Sequence, residues 1–340
     1  MKSDSLAARG LGVRGVWCCI ALLATLASAH AQTCQSSGDM EPKLRGEIES
    51  AARQYFDLAA KGDYTALQGA AIPSVASSFA GIEAAARESQ PAFSQSQVGV
   101  RSVFLLATEG TEIAPRSEFL CGVFGKSGQT ADSAVFVLNN LPLGKYSVAI
   151  LDAKGTQDAR TLTLILQQIG AEWKLAGFYA RPSQVNGHDG AWFAQRAREF
   201  KSKGQLHNTW LYLREAIALA SPADFMSTLT TDKLYDELQA VKPVDLPVDG
   251  TTTELVADGV PRKLLAAFPL TVGSDFDLVV RYETADVSDS MKTFRQNSAV
   301  IHALVAKFPE FRDAFAGVVA RAVEPSGKDF GTMVAMKEIP

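Results

Sequence analysis

The chain has 340 residues, of which 47% are hydrophobic and 21% are charged, and its formal net charge is −4. These values are ordinary for a globular protein and indicate two or three domains, since a domain has roughly 100–200 residues. The sequence contains no basic block, so nucleic acid and anionic lipid surfaces are poor candidate partners.

The first residues have the pattern of a secretory signal peptide. Three basic residues precede an apolar run at residues 15–29 that is too short to span a bilayer, and Ala29-His30-Ala31 is a small-x-small cleavage motif. We therefore expect cleavage after Ala31 and a secreted or periplasmic protein with a net charge of about −6. The alternative is an anchored N-terminal helix. The residues before Cys19 and Cys34 do not resemble a lipobox, so no membrane anchor is expected after cleavage.

Cleavage would leave two cysteines, Cys34 and Cys121, in an oxidising compartment. We predict a disulfide that fastens the mature N-terminus to a strand and contributes about 4–5 kcal/mol in the chain-entropy model. The alternative is a pair of free thiols, one of them reactive. No CxxC motif or basic pocket favours that alternative.

In the first half of the mature chain the residue pattern changes from one typical of helices to one typical of strands. In residues 42–61 an apolar stripe includes Leu44, Ile48 and Tyr55, and Gly62 is a suitable C-cap. Six β-rich segments then follow between residues 98 and 180, separated by turn residues. In residues 159–169 Leu162 and Leu164 alternate with threonines, which predicts a meander of antiparallel strands with one covered face. The fold class is α+β, with N-terminal helices packed on a bent antiparallel sheet.

The helix leading into "AAKGDYTAL" and the late segment "EWKLAGFYARP" together resemble the nuclear-transport-factor-like superfamily, which includes SnoaL-like and ketosteroid-isomerase-like proteins. The resemblance covers residues 42–182. It implies a cone-like sheet that wraps helices, with a pocket at the open mouth that binds a small molecule in many members. For the strand block alone an immunoglobulin-like sandwich is the competing fold, but it leaves the preceding helices without a role.

The rest of the chain divides at two polar linkers, residues 183–190 and residues 242–253. Residues 32–182 form the predicted cone-like domain, residues 183–245 a helical bridge, and residues 250–340 a small C-terminal α+β domain. Within the bridge, residues 191–222 resemble a single tetratricopeptide helical pair. An isolated repeat cannot bury its own apolar face, so the pair is expected to pack on a neighbouring domain. Its other possible role is to bind a peptide.

The histidines give no sign of a metal site. His30 is removed with the signal peptide, His188 lies in a linker, His207 begins a helix where a capping or solvent role is expected, and His302 lies beside an apolar stripe. No two have the spacing of metal ligands and none is near a cysteine, so we predict no metal and no cofactor. The predicted cone domain contains no histidine, although a histidine–aspartate pair is common in enzymes of the superfamily it resembles.

A mechanism that uses a lone carboxylate remains open. An aspartate buried in an apolar cone would have a raised pKa and could act as a general base, and the candidates are Asp57, Asp132 and Asp152. Each lies near a turn or a helix end, where a solvated or capping aspartate is the usual explanation. The residues that could line a pocket are Tyr55, Asp57, Tyr146, Trp173 and Tyr179, though aromatic residues at this spacing more often belong to the core.

These observations favour a non-enzymatic protein of Gram-negative bacterial type that binds a small ligand or a partner. One alternative is an isomerase or hydrolase of the cone superfamily that uses a lone acid. Another is a scaffold that docks a second envelope protein through the helical pair. An open pocket with convergent polar groups would favour ligand binding or catalysis, and an exposed apolar patch on the helical pair would favour the scaffold.

Overall fold

A computed structural model describes residues 31–124, 128–155, 158–248, 250–272 and 275–340. The predicted signal peptide lies outside the described residues, apart from Ala31. The described part of the chain forms two units, each with its own sheet. We refer to residues 31–182 as the N-terminal unit and to residues 184–340 as the C-terminal unit. The mixture of helices and antiparallel sheets confirms the predicted α+β class.

The described residues of the N-terminal unit form four helices and seven strands. The helices are α1 Pro42–Lys61, α2 Tyr64–Gly69, α3 Pro73–Ala76 and α4 Ala80–Ser94. The strands are β1 Ala31–Gln35, β2 Gln97–Glu109, β3 Arg116–Cys121, β4 Ala134–Asn139, β5 Gly144–Lys154, β6 Arg160–Ile169 and β7 Glu172–Pro182. Helix α1 starts with a proline at its first turn and ends at Gly62, whose φ of 72° is the left-handed conformation that glycine adopts most easily.

The main sheet of this unit has the order β1-β2-β5-β6-β7, and its neighbouring strands are antiparallel. Helices α1 and α4 pack on one face, where Ile48, Ala52 and Phe56 meet Leu151 and Leu164 in a buried cluster. All six predicted β-rich segments are strands. The helices therefore pack on the sheet and contribute to its core. The immunoglobulin-like sandwich left them without such a role.

Two details of the sequence prediction are wrong. The strands do not form one meander, because β3 and β4 leave the main sheet as a hairpin and lie over its second face. That face is therefore covered as well: Phe104 and Ile150 of the main sheet pack with Phe119 and Phe136 of the hairpin. Thr163, expected on an uncovered face, is completely buried. The cause is the hairpin. Buried and more exposed residues alternate along β3 and β4, so one side of the hairpin packs on the main sheet as in a sandwich.

The predicted disulfide is present between Cys34 and Cys121, whose Cα atoms are 5.1 Å apart. It joins β1 of the main sheet to β3 of the hairpin sheet and closes a separation of 87 residues. The N-terminal strand is thus fastened to the fold as expected, and the alternative of two free thiols is wrong.

The C-terminal unit begins with a short hairpin and a helical pair. Its elements up to the second linker are β8 Gln184–Val185, β9 His188–Asp189, α5 Gly190–Ser202, α6 Leu206–Ala220, β10 Met226–Thr228 and α7 Leu229–Gln239. The remaining elements are β11 Thr253–Ala257, β12 Val260–Val272, β13 Asp275–Glu283, α8 Ser290–Lys307, a 3-10 helix Pro309–Asp313, β14 Gly317–Val323, β15 Asp329–Ala335 and a 3-10 helix Met336–Glu338.

The C-terminal sheet has the order β11-β12-β13-β14-β15. Strands β13 and β14 are parallel because α8 makes the crossover between them, and β14 and β15 form an antiparallel hairpin. The helical pair shares one hydrophobic core with this sheet: the rings of Phe193 and Phe276 are 5.2 Å apart, and those of Tyr212 and Phe276 are 5.4 Å apart. The pair therefore packs on a neighbouring sheet, as predicted. The proposed domain boundary near residue 245 stays a prediction.

Residues 222–228 of the C-terminal unit pack against the N-terminal unit. Strand β10 pairs with β4 and extends the hairpin sheet, while Met226 enters its core. The hydroxyl of Thr163 donates a 2.9 Å hydrogen bond to the carbonyl of Pro222, and Arg181 forms an ion pair with Asp224. No helix in the described ranges is long and apolar enough to cross a membrane.

Candidate functional site

The interior between the helices and the main sheet is filled by side chains. Ile48, Ala52, Leu151, Leu162 and Leu164 are each completely buried there. A ligand of this unit must therefore bind nearer the surface than the middle of the helix–sheet interface.

A cleft of about 670 Å³ lies beside this core, between the first four turns of α1 and the β6–β7 turn. We call it the α1 cleft. Tyr55, Trp173 and Ala70 lie at its base, and Glu172 and Lys174 form the wall opposite α1. The volume is within the range of small-molecule sites, which are clefts of roughly 300–1,000 Å³.

Helix α1 presents a polar row to the cleft. Lys43, Glu47, Ser50 and Gln54 follow one another at intervals of four, three and four residues, which places them on one helical face. Among the described residues none of the four has a hydrogen-bond or ion-pair partner. Their donors and acceptors are thus free to bind a ligand.

The two charged side chains of the opposite wall form an ion pair with each other. The Lys174 ammonium lies 3.3 Å from the Glu172 carboxylate, and both residues line the cleft. The two walls together carry two basic and two acidic side chains, so the α1 cleft has no formal net charge. It matches a neutral or zwitterionic ligand better than a strongly charged one.

Tyr55 holds the base of the cleft together. Its hydroxyl donates a 2.7 Å hydrogen bond to the main-chain carbonyl of Trp173 and lies 3.3 Å from the carbonyl of Ala70. Burial raises the pKa of Tyr55, and the nearby Glu172 raises it further, while the main-chain N–H of Leu175 acts in the opposite direction. The phenol is therefore a neutral donor that joins α1 to β7.

Trp173 supplies a free donor at the same place. Its side chain is buried in the helix–sheet core, yet it also lines the cleft. Within the described ranges no group accepts a hydrogen bond from its indole N–H. This N–H is not among the fully buried polar atoms that lack a partner, so it is accessible to solvent.

The structure brings together only two of the five predicted pocket residues, Tyr55 and Trp173. Asp57 is exposed on α1, outside the cleft. Tyr146 is buried on the second face of the main sheet, where its hydroxyl donates a 3.0 Å hydrogen bond to the carbonyl of Pro142. Tyr179 is partly exposed and its ring lies 5.1 Å from that of Phe225, beside the connection between the units.

The other candidate carboxylates are solvated or paired. Asp132 is exposed in the turn before β4. Asp152 forms a two-pronged ion pair with Arg101 and lies 3.3 Å from the Lys154 ammonium. Asp152 is thus held between two cations, in polar surroundings unlike those of a general base buried in an apolar cone.

His207 has a different role from the predicted cap or solvent contact. Its Nδ1 lies 2.7 Å from Oε1 of Glu310, and its Nε2 lies 2.8 Å from Oδ1 of Asp245. The imidazole thus ties the start of α6 to the second linker and to the 3-10 helix Pro309–Asp313. His188 stacks on Trp192 at 3.8 Å, and His302 is exposed on α8. In the described ranges no group of three or more potential ligands could hold a metal ion.

Sequence reasoning missed the polar row of α1. The only available signal was its spacing beside the apolar stripe, and a polar stripe on an amphipathic helix is normally the solvated face. What distinguishes this stripe is the β6–β7 turn, which lies more than 110 residues further along the chain at Glu172.

Comparisons with known proteins identify no relative of this chain. No family model, no curated protein and no solved structure matches the chain. The resemblance to the nuclear-transport-factor-like superfamily therefore stays a prediction, as does the cone-like shape of the sheet.

Proposed function

We propose that the protein is a non-enzymatic binding protein of the bacterial periplasm or the secreted fraction, and that it holds a small polar ligand in the α1 cleft. The observation that carries the proposal is the row of Lys43, Glu47, Ser50 and Gln54. These side chains face a cleft of about 670 Å³ and have no partner among the described residues. Polar groups that converge on a concave surface are the usual means of orienting a ligand.

The location is supported by two features. The sequence begins with the pattern of a secretory signal peptide, and the Cys34–Cys121 disulfide is of the kind that persists in oxidising compartments.

The two alternatives have less support from the geometry. A lone-acid enzyme needs a carboxylate in an apolar pocket, whereas Asp57 and Asp132 are exposed and Asp152 is paired with Arg101. A scaffold that binds through the helical pair needs a free apolar face on that pair. Phe193, Phe200 and Leu213 instead point into the core shared with the C-terminal sheet. Both remain predictions.

The proposal can be tested by ligand screening with matched variants. A panel of amino acids, sugars, polyols and small dicarboxylates is titrated against the protein, with intrinsic tryptophan fluorescence, to which Trp173 in the cleft lining contributes, as the signal. We expect saturable binding of at least one compound. Glu47→Gln and Gln54→Ala should each weaken its binding by about tenfold, equivalent to about 1.4 kcal/mol.

Asp57→Asn is the matched control because Asp57 is exposed on the same helix but outside the cleft. Its affinity should equal that of the unchanged protein. A ligand whose binding is insensitive to both cleft variants, or a panel without any saturable binding, would contradict the proposal.

A further inference from the structure

Another cleft, of about 390 Å³, lies on the helical pair of the C-terminal unit. We call it the α5 cleft. It is lined by Trp192, Gln195, Arg196 and Glu199 of α5, Tyr212 of α6 and Asp313 of the 3-10 helix. The four α5 residues follow one another at intervals of three, one and three, so they lie on one face of that helix. The volume is within the range of small-molecule sites, roughly 300–1,000 Å³.

Trp192 presents an open aromatic surface to this cleft. His188 stacks on its indole ring, with the ring centroids 3.8 Å apart and the planes 12° from parallel, so one face of the ring is covered. Trp192 nevertheless stays 37% exposed, and it lines the cleft. Its indole N–H has no hydrogen-bond partner among the described residues. The stacked pair therefore offers an apolar platform with an unused donor at its edge.

Polar side chains with planar head groups surround this platform. The Arg196 guanidinium lies 2.6 Å from the Glu199 carboxylate, and both side chains are partly exposed. The Gln195 amide has no partner within the described ranges, and the Asp313 carboxylate accepts a hydrogen bond from Gln205. Amide, carboxylate and guanidinium groups each offer at least two hydrogen-bonding atoms, so each can contact two adjacent hydroxyl groups of a ligand.

The charges of the α5 cleft restrict the ligand. Arg196 is basic and Glu199 and Asp313 are acidic, so the lining has a formal charge of −1. The surplus carboxylate disfavours an anion, and a cation would compete with Arg196 for Glu199. A neutral ligand leaves that ion pair in place. It needs an apolar face for the indole ring and hydroxyl groups for the surrounding polar side chains.

We propose that the α5 cleft binds the ring of a neutral sugar. A pyranose ring has C–H groups on its faces and hydroxyl groups around its rim, which are the two features that the lining requires. One C–H face stacks on Trp192, and the rim hydroxyls form hydrogen bonds with Gln195, Glu199 and Asp313. This site lies in the C-terminal unit, so it is separate from the α1 cleft and does not depend on the proposed function.

The first test asks whether the ring form of the sugar is required. Methyl glycosides of glucose, galactose, mannose and N-acetylglucosamine, with maltose and cellobiose, are titrated against the full chain in ligand-observed NMR experiments. Sorbitol provides hydroxyl groups without a ring, and caffeine provides a neutral aromatic ring without hydroxyl groups. We expect saturable binding of at least one sugar and weaker binding of both controls. A panel without saturable binding, or a control that binds as tightly as the best sugar, would overturn the proposal.

The second test removes the aromatic platform. Trp192→Ala should weaken binding of the best sugar by about tenfold or more, because the stacking surface is lost. Trp192→Phe keeps a smaller ring and should have an intermediate affinity. Tyr235→Ala is the control, since Tyr235 is an exposed aromatic residue on α7 outside the cleft. An unchanged affinity in Trp192→Ala would show that the sugar binds elsewhere and would overturn the proposal.

The third test alters the polar groups without removing a packed side chain. Glu199→Gln should weaken binding of the same sugar by about fivefold, because a hydroxyl donates a stronger hydrogen bond to a carboxylate than to an amide. Glu237→Gln is the matched control. It breaks an equivalent ion pair of α5, with Arg198, that lies outside the cleft. Equal affinities of the two variants would contradict a role of Glu199 and overturn the proposed placement of the sugar.

Discussion

The hydroxyl of Tyr55 donates a hydrogen bond of 2.7 Å to the main-chain carbonyl of Trp173, 118 residues further along the chain. This bond joins the middle of α1 to the start of β7. It lies at the base of the α1 cleft and sets the distance between the two walls that the proposed ligand would contact. The Tyr55–Trp173 hydrogen bond therefore both stabilises the fold and holds the candidate site in shape.

Removal of the hydroxyl tests this contact. We expect Tyr55→Phe to lower the free energy of unfolding by about 1–2 kcal/mol, because the ring still packs while a buried carbonyl loses its donor. Urea denaturation measures the change. Tyr235→Phe is the control, since Tyr235 is exposed and its hydroxyl has no described partner. An equal effect of both substitutions would show that the Tyr55 hydrogen bond contributes nothing specific.

Substitution of Trp173 tests whether this side chain of β7, the last strand of the N-terminal unit, belongs to the core. Trp173→Ala should cost about 3–5 kcal/mol, the usual range for the loss of a large buried aromatic side chain. Trp192→Ala, at a partly exposed indole on α5, should cost clearly less. A near-neutral Trp173→Ala variant in thermal or urea unfolding would mean that the indole faces solvent and not the core.

The segment "EWKLAGFYARP" illustrates what local sequence can predict. Trp173, Leu175 and Phe178 form its covered set, and the register shift opposite Ile165 is the bulge that Gly177 indicates. A Cβ on Gly177 would lie 3.0 Å from the Tyr179 ring, so a larger residue would crowd it. Alternation and glycine placement are properties of a few adjacent residues and are visible without a structure.

Contacts between distant segments were not predictable in the same way. The alternation of β3 and β4 suits a meander as well as a separate hairpin, and the third strand of their sheet is β10, at Met226–Thr228. The partners of His207 lie 38 and 103 residues away, at Asp245 and Glu310. Nothing in the residues around His207 indicates either carboxylate. The α1 cleft was missed for the same reason.

The disulfide should stabilise the N-terminal unit strongly. Because Cys34 and Cys121 lie in different sheets, their bridge restricts both. The double substitution Cys34→Ser with Cys121→Ser should lower the free energy of unfolding by about 4 kcal/mol, if constraint of the unfolded chain is the main effect. Peptide mapping without reductant should yield the linked Cys34–Cys121 peptide.

Reductant provides the control for this prediction. Dithiothreitol should lower the melting temperature of the unchanged protein towards that of the double variant and should leave the variant unaffected. A melting temperature that reductant does not change, at a concentration that demonstrably opens the bridge, would contradict the predicted contribution.

His207 should stabilise the C-terminal unit through its two carboxylate partners. His207→Ala removes the contacts of the two ring nitrogens with Asp245 and Glu310 and a ring contact of 4.5 Å with Phe308. We expect a loss of about 2–3 kcal/mol, since hydrogen bonds to charged groups are worth more than neutral ones. His302→Ala, at an exposed position on α8, should change the unfolding midpoint little. Equal midpoints for the two variants would show that the bridge is not stabilising.

Glu215 on α6 should give the protein a measurable pH dependence. Burial raises the pKa of Glu215 above its ordinary value of 4.5, and the neighbouring Arg214 opposes this shift only in part. The folded state therefore binds the proton of this group more tightly than the unfolded state. Its favourable contribution is complete below the ordinary pKa and is lost as pH rises through the raised one.

Glu215→Gln removes this dependence because the amide stays neutral at every pH. At pH 7 the variant should be more stable than the unchanged protein, and the difference should shrink as pH falls below the ordinary pKa of glutamate. Urea unfolding at a series of pH values measures it. Glu112→Gln, at an exposed loop position, is the control and should show no such trend. A Glu215→Gln variant that is less stable at pH 7 would mean that the charged carboxylate has a favourable partner in the folded protein.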